Sequence, residues 1–492
     1  MKNPTLSTLI LCVNLAFLPL LIQAQEQIGF HTDNYAGINS VQLNPAGYAN
    51  TPFSWDVNLG ELGFFFENNY LYLKPFRLLD APSTDFENIY YIPDLKDPSE
   101  APAGALITDF YNDNRKRFAN VTYNILGPSF YAYLGESNAI GLTTRVRFMA
   151  TGSGITNNLS YYPYFSQAFF ESFEVPKFSL GAMAWSELGL NFMHKIEMDG
   201  GELAIGITAK YLTGFEAAYL YNEKSFQLTK LPGDTLSSDA VSLNFGFTNS
   251  NIATTDNTLA QNGTGVGFDL GFVYTAKDYD DGYEWKIGFS ILDIGKIKFT
   301  ENAQQHLVNT DQVTNLATAG FNDISGTDEF ESKIQYFSEQ LLNDSSLSLK
   351  NSEFSMWLPS AISVQAEYSF TPNLFVNAAL VQGIALGGIG VRRGSVFAVT
   401  PRFEKRWYGV SLPVSVYNWQ DLRMGAAVRL AFFTFGSGNL GSIFRASEFS
   451  GTDFYMAVKF NPFSLGLRKN GRSKSRSRSR RSSLKGVKCY EF

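Results

Sequence analysis

The chain has 492 residues, with 43 Phe, 25 Tyr, 42 Gly and two cysteines, Cys12 and Cys489, and a formal net charge of −7. Cys12 lies inside an apolar leader, so one cysteine remains and an internal disulfide framework is excluded. Mean hydropathy is only −0.10 although 15% of residues are aromatic, which argues against a bundle of membrane-spanning helices and for alternating strands.

Lys2 precedes an apolar run over residues 6–22, and Ala24 is followed by Gln25-Glu26-Gln27. This is the pattern of a secretory signal peptide, residues 1–24. Residues 25–52 carry few strand signals and are turn-rich around Asn44-Pro45-Ala46-Gly47. No later stretch suits a helical span. Residues 378–391 are too few and hold Gly383, Gly387, Gly388 and Gly390, whereas a span needs about 20 apolar residues.

Residues 53–66 read as the first strand. Pro75, Pro82, Pro93, Pro98 and Pro102 then forbid long strands and predict a large loop with one short helix near residues 105–117. Strands follow at 121–134, 139–150, 178–196, 202–228, 241–247, 265–274 and 284–299. Asp199-Gly200-Gly201 and Asp280-Asp281-Gly282 supply hairpin signals. Residues 158–170 read as loop or brief helix. Residues 300–355 are polar and predict a long loop with a helix over 328–342. Strands resume at 359–370 and 373–382, and the last runs over 453–460.

The clearest pattern lies within residues 395–435. Phe397, Val399 and Phe403 oppose Thr400, Arg402 and Glu404. Tyr408, Val410, Leu412, Val414 and Val416 oppose Gly409, Ser411, Pro413, Ser415 and Tyr417. Leu422, Met424, Ala426, Val428, Leu430 and Phe432 oppose Arg423, Gly425, Ala427 and Arg429. A period of two is the strand period. A soluble barrel turns its apolar face inward, whereas a transmembrane barrel turns it to lipid. Behind a signal peptide, and with no helical span, a chain in a membrane must be a closed barrel. Residues 25–52 then tuck into or under its lumen, or form a periplasmic lead-in. Arg145, Arg147, Arg402, Glu404, Arg423 and Arg429 are expected to face the lumen. There they bind an anionic ligand, or pair with Glu187, Asp269 and Glu404 as opposite charges filling a small barrel do.

Ten of the 39 basic residues and one of the 46 acidic ones lie from Arg468 onward, so the rest carries 29 basic and 45 acidic residues, a net of −16. Residues 468–492 contain RSKSRSRSRRSS and read as a disordered basic tail. An exported tail of this kind suits anionic lipid head groups, an acidic periplasmic or surface protein partner or cell-wall polymer, or is a solvated tail with no dedicated partner, and does not suit nucleic acid. Gly436, Gly438 and Gly441 match GxGxxG but lack the βαβ setting. Asp278, Asp280 and Asp281 lack calcium-loop spacing. His31, His194 and His306 are widely separated. No metal, cofactor or enzyme activity is expected.

Several stretches resemble a family of outer-membrane barrels of unknown function from Bacteroidota, related to the long-chain fatty-acid transporter (FadL-like) barrels. They are LNPAG (43–47), GTGVGFDLGFVY (263–274), FSILDIGKIKF (289–299), LPSAISVQAEYSF (358–370) and TPRFEKRW (400–407). The resemblance implies about fourteen strands and an N-terminal hatch holding Asn44, Pro45 and Ala46. Such barrels end on a strand with a terminal aromatic, whereas here a basic tail follows Phe460 and Phe463.

The expected fold is all-β: an antiparallel transmembrane β-barrel of about 14 strands (12–16), with a hatch-like N-terminal segment and short helices in loops. Residues 25–52 form the hatch or lead-in and residues 53–467 the barrel. The expected location is the bacterial outer membrane. The expected role is passive uptake or binding of a small hydrophobic or amphiphilic molecule. The alternative is a non-transporting structural or assembly barrel in a cell-surface complex.

Overall fold

The computed structural model describes residues 27–84, 89–92, 102, 105–233, 235–249, 259–277, 282–317 and 327–460. The expected signal peptide, the basic tail and the Asp278, Asp280 and Asp281 turn lie outside these residues.

Among the described residues, fourteen strands close into one ring. They are β1 (Trp55–Asn68), β2 (Arg117–Leu126 continued by Ser129–Leu134), β3 (Asn138–Ile155), β4 (Ser179–Met198) and β5 (Gly201–Asn222). Next come β6 (Gly263–Lys277), β7 (Tyr283–Phe299), β8 (Phe354–Trp357 continued by Ala361–Thr371), β9 (Leu374–Gly383) and β10 (Val396–Glu404). The ring ends with β11 (Tyr408–Ser411 and Val414–Tyr417), β12 (Asp421–Met424 and Ala426–Leu430), β13 (Phe433–Ser437) and β14 (Gly451–Phe460). Neighbours pair antiparallel, and β14 returns to β1 with Phe64 opposite Phe454. Closure leaves no strand edge, the condition for strands in lipid. β2 breaks at Gly127-Pro128 and β11 at Leu412-Pro413, because proline brings no N–H to the ladder. Short turns join strands at one end of the ring, where β1 begins and β14 ends. The long connections lie at the other end.

Side-chain alternation sets which face meets which medium. On β10, Phe397, Val399 and Phe403 are exposed while Thr400, Arg402 and Glu404 are buried. On β12, Leu422, Met424, Val428 and Leu430 are exposed while Arg423 and Arg429 are buried. The same inversion puts Phe148, Leu190, Ile207, Phe268 and Phe289 outside, Leu190 at 62% exposure. An apolar belt of this extent does not stay in water; it matches the acyl chains of a bilayer. Aromatic rings gather at the short-turn end. Tyr274 lies 5.3 Å from Trp285, Tyr368 4.9 Å from Phe370 and Phe403 6.1 Å from Tyr408, which forms a girdle at head-group level. No helix among the described residues is long and apolar enough to cross a membrane. The ring is a transmembrane barrel.

Four sequence expectations change. Residues 300–355, expected as a long loop with one helix, also hold strands Ala303–Asn309, Thr314–Ala317 and Leu349–Asn351. Residues 105–117 hold no helix. Ile107–Phe110 is a strand paired with Leu71–Phe76, and Ser447–Phe449 joins the same small outer sheet. Isoleucine, threonine and phenylalanine favour strand, and a partner strand was within reach. Ser242–Thr248 is not a ring strand. It pairs with the top of β5, Leu220 opposite Phe245, and with Ala303–Asn309, extending the sheet above the ring. The fourteenth member is instead β13, which the pattern merged with β12 because only Ala431 and Phe432 separate them. Residues 202–228 end as a ring strand at Asn222, and Phe226–Leu231 enters a separate four-stranded sheet. The helix expected at 328–342 is Thr327–Leu342.

Placing a charge on the belt tests the lipid-facing assignment. Leu190→Arg is expected to cost about 2–4 kcal/mol of folding free energy in lipid vesicles if it lies near the bilayer midplane, measured by urea titration of vesicle-inserted protein. A cost near zero would move Leu190 out of the hydrocarbon.

Candidate functional site in the filled lumen

Residues 27–54 lie inside the ring. They form a helix, Ile28–His31, and two 3-10 turns, Gly37–Gln42 and Gly47–Asn50, but no strand. Their polar atoms reach strands all round the wall. Asp33 pairs with Arg429 of β12 at 3.0 Å, Asn34 Nδ2 donates to Glu404 Oε2 of β10 at 3.0 Å, and Arg402 donates to Thr32 O. Tyr48 Oη donates to Asn191 Oδ1 of β4 at 2.5 Å, Asn50 Nδ2 to Thr275 Oγ1 of β6 at 2.5 Å, and Lys459 Nζ of β14 to Tyr35 O at 2.9 Å. Only a segment crossing the bore touches β4, β6, β10, β12 and β14 at once.

Asn44, Pro45 and Ala46 sit in a recess of the wall. Asn44 Nδ2 donates to Phe272 O of β6 at 3.1 Å and to Phe289 O of β7 at 3.4 Å. Asn44 Oδ1 accepts from Ala46 N at 2.9 Å, a local turn that Asn favours. Asn191 Nδ2 donates to Pro45 O at 3.2 Å. Gly206, Gly271 and Gly288 on β5, β6 and β7 make the recess. A Cβ at Gly271 would strike Asn44 and Pro45, one at Gly206 would strike the Pro45 carbonyl, and one at Gly288 would lie 3.0 Å from Asn44 Nδ2.

A second anchor is Glu61 of β1, fully buried. Gln27 Nε2 donates to Glu61 Oε1 at 2.7 Å, Asn39 Nδ2 to Oε2 at 2.5 Å, and Gln42 Nε2 to both oxygens at 2.8 and 2.9 Å. His31 Nε2 lies 3.2 Å from Oε1. Four side chains of the inner segment thus converge on one carboxylate. Sequence reasoning missed it because the register shifts between Asn58 and Gly60. Inward positions move from Asp56 and Asn58 to Glu61, Gly63 and Phe65, and the period of two breaks. The available signal was an isolated acid in an otherwise apolar GELGFFF run.

The structure places Arg145, Arg147, Arg402, Glu404, Arg423 and Arg429 on the side of their strands away from the apolar belt, each beside a partner. Arg147 meets Glu187 at 3.0 Å and Asp293 at 2.9 Å. Arg145 lies 3.9 Å from Glu187 and donates to Asn124. Arg402 meets Glu404 at 2.9 Å and also Glu367. Arg423 meets Glu67 at 2.6 Å, and Arg429 meets Asp33. Asp269, expected beside an arginine, is held by Lys210 at 2.7 Å. Lys210 also reaches Asp293 at 2.6 Å, and Arg393 reaches it at 2.8 Å. A cavity of about 20 Å3 touching Gln42, Arg145, Glu187, Lys210, Asp269 and Asp293 has room for a single water.

Above these charges the bore turns apolar. Met149, Met183, Trp185, Leu212, Ile297 and Phe299 pack with Val391. Val391 belongs to the loop of residues 384–395, which dips into the outer mouth. Trp357 N donates to Ile389 O at 3.1 Å and Arg392 N to Thr151 Oγ1 at 3.1 Å. Among the described residues no three metal-ligating side chains gather into a metal site. Gly436 lies in β13 and Gly438 and Gly441 in its connection to β14, and they open no βαβ unit.

An inverted, closed ladder around a bore packed with its own chain defines a transmembrane β-barrel with a filled lumen. Residues 45–438 match the model of a family of unknown function, DUF5723, and the chain belongs to that family. No curated protein matches it. Among solved structures, the chain is similar to a Pseudomonas aeruginosa FadL homologue, with 12% identity, 90% of this chain and 99% of that one covered, and a TM-score of 0.40. It is similar to the Pseudomonas putida toluene transporter TodX, with 10% identity, 89% and 99% covered, and a TM-score of 0.39. It is also similar to the Ralstonia pickettii toluene transporter TbuX, with 10% identity, 87% and 94% covered, and a TM-score of 0.38.

Two substitutions probe how the inner segment is held. Glu61→Ala removes the carboxylate that accepts from Gln27, Asn39 and Gln42 and lies beside His31, and is expected to loosen the segment by about 2–3 kcal/mol. Amide exchange over residues 27–44 then speeds up roughly 30- to 150-fold, with the ring amides unchanged. Gly271→Val is expected to free residues 44–47 in the same assay. Unchanged exchange in both variants would show that neither contact holds the segment.

Proposed function

We propose that this protein is an outer-membrane barrel that passively takes up or binds a small hydrophobic or amphiphilic molecule, with residues 27–54 as its hatch. The observation that supports this is how the inner segment is attached. It fills the bore without joining the ladder, so its departure leaves the ring closed. Its attachments are side-chain hydrogen bonds, each contributing about 0.5–1.5 kcal/mol net, a few ion pairs, and apolar packing of Ile28, Phe30, Ile38, Val41, Leu43 and Tyr48 against the wall. None of these contacts is part of the ladder, so the segment can shift while the wall stays folded. Asn44, Pro45 and Ala46 are the part of it seated in the glycine recess of the wall. The lumenal cations are engaged by carboxylates, which favours neutral cargo over anionic cargo. No catalytic step or cofactor enters this reading.

A second reading has its own support. Asp293 holds three cations from three parts of the barrel, and any aqueous path along the axis must break that cluster. A barrel braced in this way suits a non-transporting structural or assembly role. Residues 468–492, which come after β14 in the sequence, would then dock a periplasmic partner.

Single-channel conductance in planar bilayers separates the two. The full chain is expected to stay closed, and a variant lacking residues 25–52 is expected to open and to admit a hydrophobic dye into liposomes. If the deletion variant keeps the strand signature of a folded barrel yet passes neither ions nor dye, uptake fails and the structural reading stands.

A further inference from the structure

A cavity of about 440 Å3 opens at the outer mouth, between loop 384–395 and the tops of β5 and β8. It is lined by Tyr221, Glu223, Ser355, Trp357, Gly388 and Ile389. This size lies within the range of small-molecule sites. We propose that this pocket binds a sugar ring, carried either by a free saccharide or as the head of an amphiphile. The proposal goes beyond the uptake reading and stands without it.

The walls are built rather than incidental. Trp357 is held through its backbone N–H to Ile389 O, and the Glu223 backbone N–H donates to Ser242 O at 3.2 Å. The glycines let the loop come close. A Cβ at Gly388 would lie 2.8 Å from the Tyr221 ring, and one at Gly387 would strike the Trp357 indole. Two aromatic rings therefore share one pocket with a carboxylate and a hydroxyl.

The charges select the ligand class. Lys296 Nζ sits 5.7 Å from the Trp357 ring centroid, so an organic cation seeking that ring meets a like charge. Glu223 repels an anion. The neighbouring acid Glu353 is engaged by Lys298 at 2.8 Å, whereas Glu223 has no ion-pair partner among the described residues. A wholly apolar ligand would strip water from the Glu223 carboxylate and the Ser355 hydroxyl and replace none of their hydrogen bonds. What remains is a neutral molecule with an apolar face for the rings and hydroxyl donors for the carboxylate. A pyranose ring has both. The loop that would carry it seals the bore on its other side through Val391 and Arg393.

Saturation-transfer NMR on the full-length protein in lauryldimethylamine oxide micelles tests this. Maltose, lactose and N-acetylglucosamine serve as free saccharides, methyl glucoside and octyl glucoside below its micelle concentration as a head-group pair, and choline and decanoate as the excluded classes. The expected result is millimolar binding with transfer to sugar ring protons, weakened at least tenfold by Trp357→Ala and by Glu223→Gln. Octyl glucoside binding far tighter than methyl glucoside would mark an amphiphile head, and equal binding would mark a free saccharide. If Trp357→Ala fails to fold, Glu223→Gln and Ser355→Ala decide. The proposal is overturned if no saccharide shows transfer, if the foldable variants leave transfer unchanged, or if choline or decanoate displaces the sugar. Failure here leaves the conductance experiment untouched, since that reads the inner segment and not the mouth.

Discussion

One buried carboxylate, Asp293, holds the middle of the barrel together. Arg147 from β3, Lys210 from β5 and Arg393 from loop 384–395 all converge on it. Inside a ring that excludes lipid and is packed against water, an unpaired charge costs several kcal/mol. Removing Asp293 therefore takes a carboxylate from all three cations at once. The backbone adapts to make this convergence possible. Asp293 has φ of 56°, a left-handed conformation that Asp tolerates better than most residues. β7 pairs with β8 on either side of it, at Leu292 opposite Ala361 and Lys296 opposite Trp357. In the gap between, Ser360 Oγ donates to Asp293 O at 2.6 Å. The ladder gives up regular pairs there and turns two acids, Asp269 and Asp293, inward.

Around this cluster the lumen is filled in layers of different chemistry. Toward the short-turn end lies the inner segment, tied by amide hydrogen bonds to Glu61 and seated on three glycines. Toward the outer end lie Trp185, Phe299, Met356 and Val391, closed by apolar packing. The two seals differ in their balance of forces. The lower one combines hydrogen bonds of modest individual strength with apolar packing of Ile28, Phe30, Ile38, Val41, Leu43 and Tyr48 against the wall. The upper one loosens only when apolar surface is exposed, at about 25 cal/mol per Å2.

Much of the wall was legible along the chain. Phe397 to Glu404 and Leu422 to Leu430 show their two faces by alternation alone, because a strand has no other way to place successive side chains. Arg402, Arg423 and Arg429 were therefore assignable to the lumen before any partner was known. Their partners were harder. Arg402 lies beside Glu404 on its own strand, yet it also meets Glu367, which sits 35 positions earlier on β8. The inward series Ser363, Gln365, Glu367 was present in AISVQAEYSF, but nothing local says that β8 and β10 stand on either side of β9. Glu61 was hidden by a bulge, and Ser242–Thr248 read as a wall strand because an extension above the membrane has the same period as the ring.

By itself the sequence determined the class of medium and the sense of the barrel. A period of two with apolar residues on one face and Arg or Glu on the other is a local property, and with the expected leader and no later stretch of about 20 apolar residues a closed barrel is its reading. The tertiary structure decided whether the bore is open, which carboxylate each cation meets, and that Asn44-Pro45-Ala46 rests on Gly206, Gly271 and Gly288. These are contacts between residues tens to hundreds of positions apart. They depend on strand register and on where the chain crosses the ring, and no short-range pattern encodes either.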